Sequence, residues 1–171
     1  SADGSVVAIG ATQNDGNGND DSGHVRIYKN NNGSWQQIGD DIDGEASGDE
    51  SGCSVSLSAD GSVVAIGAHK NDGNGETSGH VRIYQNNNGS WDQLVADIDG
   101  EASGDISGHS VSLSADGSVV AIGASMNDGN GNGSGHVRVY KLSDKNESDP
   151  LPEAIQIGEN IGGEVSGDQS G

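Results

Sequence analysis

The stretch SVSLSADGSVVAIGA, Ser54–Ala68, decides how this chain reads. It returns letter for letter at Ser110–Ala124, and its last eleven letters open the chain as Ser1–Ala11. SVSLS alternates small polar with apolar residues, which is the period of a strand. VVAIGA is a second strand, rich in β-branched residues. The intervening Asp60-Gly61 predicts a two-residue type I′ turn, because Asp-Gly supplies positive φ at low cost. That hairpin sets Leu57 against Val64 and Val55 against Ile66. One face then carries Val55, Leu57, Val64 and Ile66. The other carries serines, Ala65 and Gly67, small enough for close packing on both sides of the sheet.

The repeat extends well beyond the hairpin. His24, His80 and His136 each begin an HVR strand and lie 56 residues apart, as do Trp35 and Trp91. After VVAIGA comes a Gly/Asn-rich loop, then HVRIY (His80–Tyr84) with Val81 and Ile83 on one face. NNNGS turns the chain into WDQLV (Trp91–Val95), and ADIDGEASGDISG connects to the next copy. Four short strands per unit of this length predict a propeller-type blade. The expectation is an all-β fold of three four-stranded antiparallel blades: residues 1–52, which lack a first strand, 53–108, and 109–171 with an insertion near 143–159. Three blades are fewer than the roughly four to eight of a closed propeller. They are therefore read as part of a larger propeller or repeat array. The chain has no initiator Met and no signal peptide, so it reads as a mature or excised piece.

Composition narrows the function classes. Twenty-seven acidic residues against seven basic ones give a formal charge of −20, which repels nucleic acid. No apolar run is long enough to span a membrane. Val, Ile and Leu make under a fifth of the chain, a disordered composition were it not for their strand periodicity. The single Cys53 rules out a repeated disulfide framework and reads as a small strand residue. There is no nucleophile elbow, phosphate loop or Cys/His zinc cluster, so an enzyme is not expected. Asn32, Asn88, Asn132 and Asn146 each begin an N-glycosylation sequon, which points to an extracellular or cell-surface location.

The unit SGHVRIY…GSWDQ…GDISGHSVSLSADGSVVAIGA resembles the FG-GAP repeat of integrin-α-like β-propellers, on the GHVRIY, Trp, SVSLS and VAIGA elements. The resemblance implies a propeller fold, and roles in adhesion, in matrix or in association with enzymes. Two departures stand out. The family's Phe-Gly is replaced by Ser51-Gly52, Ser107-Gly108 and Ser170-Gly171, and its calcium loop is replaced by the tight SADGS turn. The family's metal ligands therefore do not transfer.

Two other acidic loops are candidate Ca²⁺ ligands. The NDGNG loop offers Asp15, Asn17, Asp72, Asn74, Asp128 and Asn130. These are also ordinary turn residues, and the turn reading is preferred. The DIDGEASGD loop offers Asp41, Asp43, Glu45 and Asp49, then Asp97, Asp99, Glu101 and Asp105; the third copy is eroded to Asn160, Gly162, Glu164 and Asp168. The spacing suits oxygen ligation but lacks the glycine and the final Glu of an EF-hand loop. The preferred reading is an inter-blade connection whose last Asp ties down backbone amides. The recurring His and Arg26, Arg82 and Arg138 read as packing, each Arg pairing with a nearby carboxylate.

Together these expectations describe an extracellular structural or adhesive repeat protein. It would assemble head to tail into a filament or matrix, or complete a larger propeller by strand complementation, since the first blade leaves an open edge. Its partners would be other copies or neighbouring repeats. The alternative is a calcium-dependent module that binds extracellular glycans or proteins.

Overall fold

A computed structural model describes residues 1–143 and 151–171, with the side chain of Asn17 outside the description. The sequon at Asn146 and part of the insertion lie outside the described residues. The chain forms three antiparallel sheets. The first holds β1 (Val6–Ala11), β2 (His24–Asn31), β3 (Ser34–Gln37) and β4 (Ile42–Asp43). The second holds β5 (Ser54–Leu57), β6 (Val63–Ala68), β7 (His80–Asn87), β8 (Ser90–Gln93) and β9 (Ile98–Asp99). The third holds β10 (Ser107–Leu113), β11 (Val119–Ala124), β12 (His136–Lys141), β13 (Ile155–Gln156) and β14 (Ile161–Gly162). Among the described residues no helix is long and apolar enough to cross a membrane.

The hairpin register is as expected: Leu57 faces Val64 and Val55 faces Ile66. The turn is not. Ser58 and Val63 close it, with the Ser58 amide donating to the Val63 carbonyl at 2.9 Å. Four residues lie between them, and of Asp60 and Gly61 only Gly61 has a positive φ, 73°. The reason is the Asp60 carboxylate. Its Oδ1 accepts from Ser58 Oγ, Ser62 N and Ser62 Oγ at 2.7, 3.0 and 2.7 Å, wrapping the turn around the side chain. The two-residue loop with two positive φ angles occurs instead at Asn32-Gly33 and Asn88-Gly89 (54° and 95° in the latter), between β2 and β3 and between β7 and β8.

The sheets stack face to face, with the second between its neighbours. Val64, Ile66 and Tyr84 pack on Val6, Val25, Ile27 and Ile42 of the first sheet, flanked by Val55, Leu57 and Trp91. From the opposite face Val63, Ala65, Val81 and Ile83 pack on Val120, Ile122, Tyr140 and Leu142 of the third. β6 and β7 thus alternate their side chains between two cores, and VVAIGA in β6 is buried at every position. Small residues allow this closeness: a Cβ on Gly67 would lie 2.1 Å from the Gly108 carbonyl oxygen. The same crowding accounts for Ser51 and Ser107, both fully buried, where the resembling family has Phe.

The outermost strand departs from the four-strand expectation. β8 and β9 both pair with β7, on its two halves; Leu94 N still donates to the Ile83 carbonyl, and residues 95–97 interrupt the ladder between them. The segment ADIDG, read as pure connection, is therefore partly strand, because Ile98 is buried beside Val81. The same interruption separates β3 from β4 and β13 from β14. It brings Asp41, Asp97 and Asn160 out of the ladder at equivalent places.

Candidate functional site: the junctions between sheets

Each junction is built from one sheet's outgoing connection and the next sheet's HVR strand. At the first, the imidazole Nδ1 of His80 (2% exposed) lies 3.8 Å from Glu45 Oε2 and 4.0 Å from Asp97 Oδ2. Glu45 comes from the preceding sheet's connection; Asp97 comes from the outer-strand interruption of His80's own sheet. Gln93 fixes Asp97 by donating from Nε2 to Oδ1 at 2.6 Å, which leaves Oδ2 for the histidine side. Arg82 Nη1 lies 3.6 Å from Glu45 Oε1, and its Nη2 donates to the Asp43 carbonyl at 2.7 Å. The Arg82 guanidinium also lies 5.6 Å from the Tyr84 ring centroid. Burial pushes the His80 pKa down and the positive charge of Arg82 adds to the effect, while Asp97 and Glu45 pull the other way.

The second junction repeats this plan with one change. His136 Nδ1 lies 3.6 Å from Glu101 Oε2, and Arg138 Nη2 donates to the Asp99 carbonyl at 2.6 Å. The third member is Asn160. Gln156 Nε2 holds its Oδ1 at 2.8 Å, and its Nδ2 lies 3.0 Å from Glu101 Oε2 and 3.4 Å from His136 Nδ1.

In the first sheet, the set comes from within one blade. His24, Asp41 and Asp43 converge, with His24 Nδ1 3.6 Å from Asp41 Oδ2. That oxygen is engaged: Arg26 donates to it from Nε and Nη2 at 2.9 and 2.7 Å. The hydrogen bonds from Arg26 hold the Asp41 carboxyl below its ordinary pKa.

The remaining acidic candidates go elsewhere. Asp41, Asp43, Glu45 and Asp49 do not close around one point. Asp49 is buried, accepting from its own loop at Ala46 N (3.1 Å) and from Asn71 Nδ2 (3.0 Å). Asp105 makes the same pair of bonds with Ala102 N and Asn127 Nδ2. Asp99 supplies its carbonyl to Arg138, and Glu101 turns to His136.

In the NDGNG loops, Asp15, Asp72 and Asp128 each accept a backbone amide five or six residues on, from Asp21, Thr77 and Gly133. Asn74 and Asn130 donate to the carbonyls of Gly100 and Gly163. The side chain of Asn17 lies outside the described residues. Asn32, Asn88 and Asn132 are exposed. Cys53 is half-buried, its Sγ 3.3 Å from the Gly67 carbonyl, and burial pushes the thiol pKa up.

Sequence reasoning treated the histidines as packing, and it missed that Glu45 and Glu101 serve the next blade. The recurring Gln93/Asp97 and Gln156/Asn160 spacing of four was the available signal.

Comparison with known families shows that residues 42–84 match the model described as FG-GAP repeat. The matched window runs from β4 through the end of HVRIY and so includes Glu45, His80 and Arg82 of the first junction, but not Gln93 or Asp97. A search of curated proteins finds no match.

Proposed function

We propose, for a chain that carries an FG-GAP repeat, a non-catalytic structural module of the extracellular space whose terminal sheets stack on further blades of the same kind. One observation carries this reading. Val7, Ile9, Tyr28 and Trp35 line an apolar groove on the outer face of the first sheet. Their counterparts Val64, Ile66, Tyr84 and Trp91 are the residues with which the second sheet sits on the first. Ile9 is 53% exposed where Ile66 is 1%. The outer face of the third sheet offers the matching half. Val119, Ala121, Val137 and Val139 are half-buried there, whereas Val63, Ala65, Val81 and Ile83 are covered. The two free faces are different and complementary, the condition for a head-to-tail contact that closes into a ring or runs on as a filament. Exposed sequons at Asn32, Asn88 and Asn132 and the strongly acidic surface support the extracellular placement.

Sedimentation of two variants tests the reading. I9D spoils one face and V139D the other. The parent chain is expected to associate with concentration. Each variant alone stays monomeric, and their mixture stops at a dimer, because only one good face of each kind remains. A parent chain that stays monomeric up to millimolar concentration would overturn self-stacking. The calcium-dependent binding alternative predicts instead that EDTA lowers the melting temperature, with association unaffected by I9D.

A further inference from the structure

We propose that Glu45, His80 and Asp97 form a binding site for one borderline divalent transition ion, Zn²⁺ being the type case, which clamps the second blade to the connection leaving the first. The site is independent of the stacking of further blades.

Three features of the junction carry it. First, the three ligand atoms Glu45 Oε2, His80 Nδ1 and Asp97 Oδ2 all lie within 4.8 Å of one another. His80 is almost fully buried, yet its Nδ1 reaches neither carboxylate at hydrogen-bonding distance (3.8 and 4.0 Å). An imidazole nitrogen aimed between two carboxylates, with no donor or acceptor among the described residues filling the gap, has the geometry of a ligand. Ligand atoms around tetrahedral zinc lie about 3.3 Å apart, given Zn–N and Zn–O bonds near 2.0–2.1 Å. The contraction needed falls mainly on Glu45, which is 45% exposed, and is smaller for Asp97, whose Oδ2 turns inward while Gln93 holds its Oδ1.

Second, the outer layer is in place. Gln93 holds Asp97 by Oδ1 and so presents Oδ2 inward, the orienting role that hydrogen-bond partners of metal ligands commonly play. Third, the next junction shows what fills the gap when a carboxylate is replaced. Asn160 occupies the position of Asp97, is held by Gln156 in the same way, and turns its amide Nδ2 onto both Glu101 Oε2 and His136 Nδ1. A positively polarised group stands there as part of the side chain. At the first junction Asp97 supplies none, and a cation completes the same bridge.

One imidazole with two carboxylates selects a borderline ion over Ca²⁺ or Mg²⁺, which take oxygen. The first sheet's His24, Asp41 and Asp43 do not form a second such site, because Arg26 occupies Asp41 Oδ2.

The test is calorimetric titration of the 171-residue chain with Zn²⁺ alone in 150 mM NaCl, with thermal melting in parallel and Mg²⁺ as control. One Zn²⁺ per chain is expected, with a rise in melting temperature that Mg²⁺ at equal concentration does not give. D97N and E45Q each weaken binding at least tenfold, and D97N keeps the metal-free chain folded by copying the Asn160 bridge. Q93A weakens it by about tenfold without removing a ligand. N160D raises the stoichiometry to two, and D41N changes nothing. Equal effects of Mg²⁺, unchanged binding in D97N, or loss of binding in D41N would each overturn the assignment.

Discussion

Arg82 in the second sheet donates from Nη2 to the backbone carbonyl of Asp43 in the first, at 2.7 Å, and Arg138 does the same to Asp99 at 2.6 Å. A guanidinium therefore joins the carbonyl of one blade to the aromatic face of the next, since each Arg also covers its own Tyr at 5.5–5.6 Å. R82A is expected to cost about 1.5–3 kcal/mol in urea unfolding, the range for hydrogen bonds to charged groups. R82K recovers little, because an ammonium cannot hold the carbonyl and the ring together. R26A costs far less than R82A, because the Arg26 side chain is 43% exposed against 7% for Arg82 and bonds only within its own blade.

The SADGS turns make the fold acid-sensitive in a narrow window. Asp116 accepts hydrogen bonds from Ser114 Oγ, Ser118 N and Ser118 Oγ, which hold its pKa down to about 2. Its unfolded value is near 3.9. A carboxyl whose folded value is depressed stabilises the fold above the unfolded pKa and loses that contribution as pH falls through the folded one. Stability should therefore decline from about pH 4 toward pH 2, and D116N should flatten that part of the curve. A carboxyl titration by NMR that places Asp116 near 4 would refute the account.

Gly67 lies against the Gly108 carbonyl, where a methyl group would stand 2.1 Å from the oxygen. G67A forces two backbones apart and is expected to cost about 3 kcal/mol, the upper end of ordinary overpacking. Gly89 serves as a control of another kind. It has open space around it, and its need is for a positive φ of 95°. G89N should be tolerated where G89V is not, judged by melting temperature.

The two tryptophans occupy equivalent places in unlike surroundings. Trp91 donates from Nε1 to the Ile38 carbonyl at 2.9 Å across the junction, whereas Trp35 is 47% exposed. W91F should lose about 1 kcal/mol and W35F almost nothing. In dilute solution acrylamide should quench the W91F variant, which retains Trp35, more strongly than the W35F variant. That difference should shrink at concentrations where copies stack.

Much of the fold was legible because period-two patterning is a local signal. Val55, Leu57, Val64 and Ile66 shared a face in the sequence and share one in the structure. The split outer strand was not legible, because its second piece, Ile98–Asp99, is only two residues long and lies in an acidic run. The turn at Asp60-Gly61 was misread because the dipeptide alone does not reveal that the flanking Ser58 and Ser62 would claim the carboxylate. The junctions were hardest. Spacing places Asp43 and Glu45 two apart, but it does not say that one carbonyl and one carboxylate reach forward to Arg82 and His80, more than thirty residues later. Asn160 read as erosion from the sequence, and only its amide's position between two partners gives it a role.

The direction of those reaches has a consequence for synthesis. Arg82 finds Asp43, Trp91 finds Ile38 and Asn71 finds Asp49. One repeat later, Arg138 finds Asp99 and Asn127 finds Asp105. In every case the later residue seeks one already made. Each blade thus docks on a predecessor already made, although the traffic runs both ways: the amides of Ala2, Ala59 and Ala96 wait for the carbonyls of Ala59, Ala115 and Pro152, which later segments supply. The chain is suited to docking blade by blade, as repeat arrays are when each unit contacts only its neighbours.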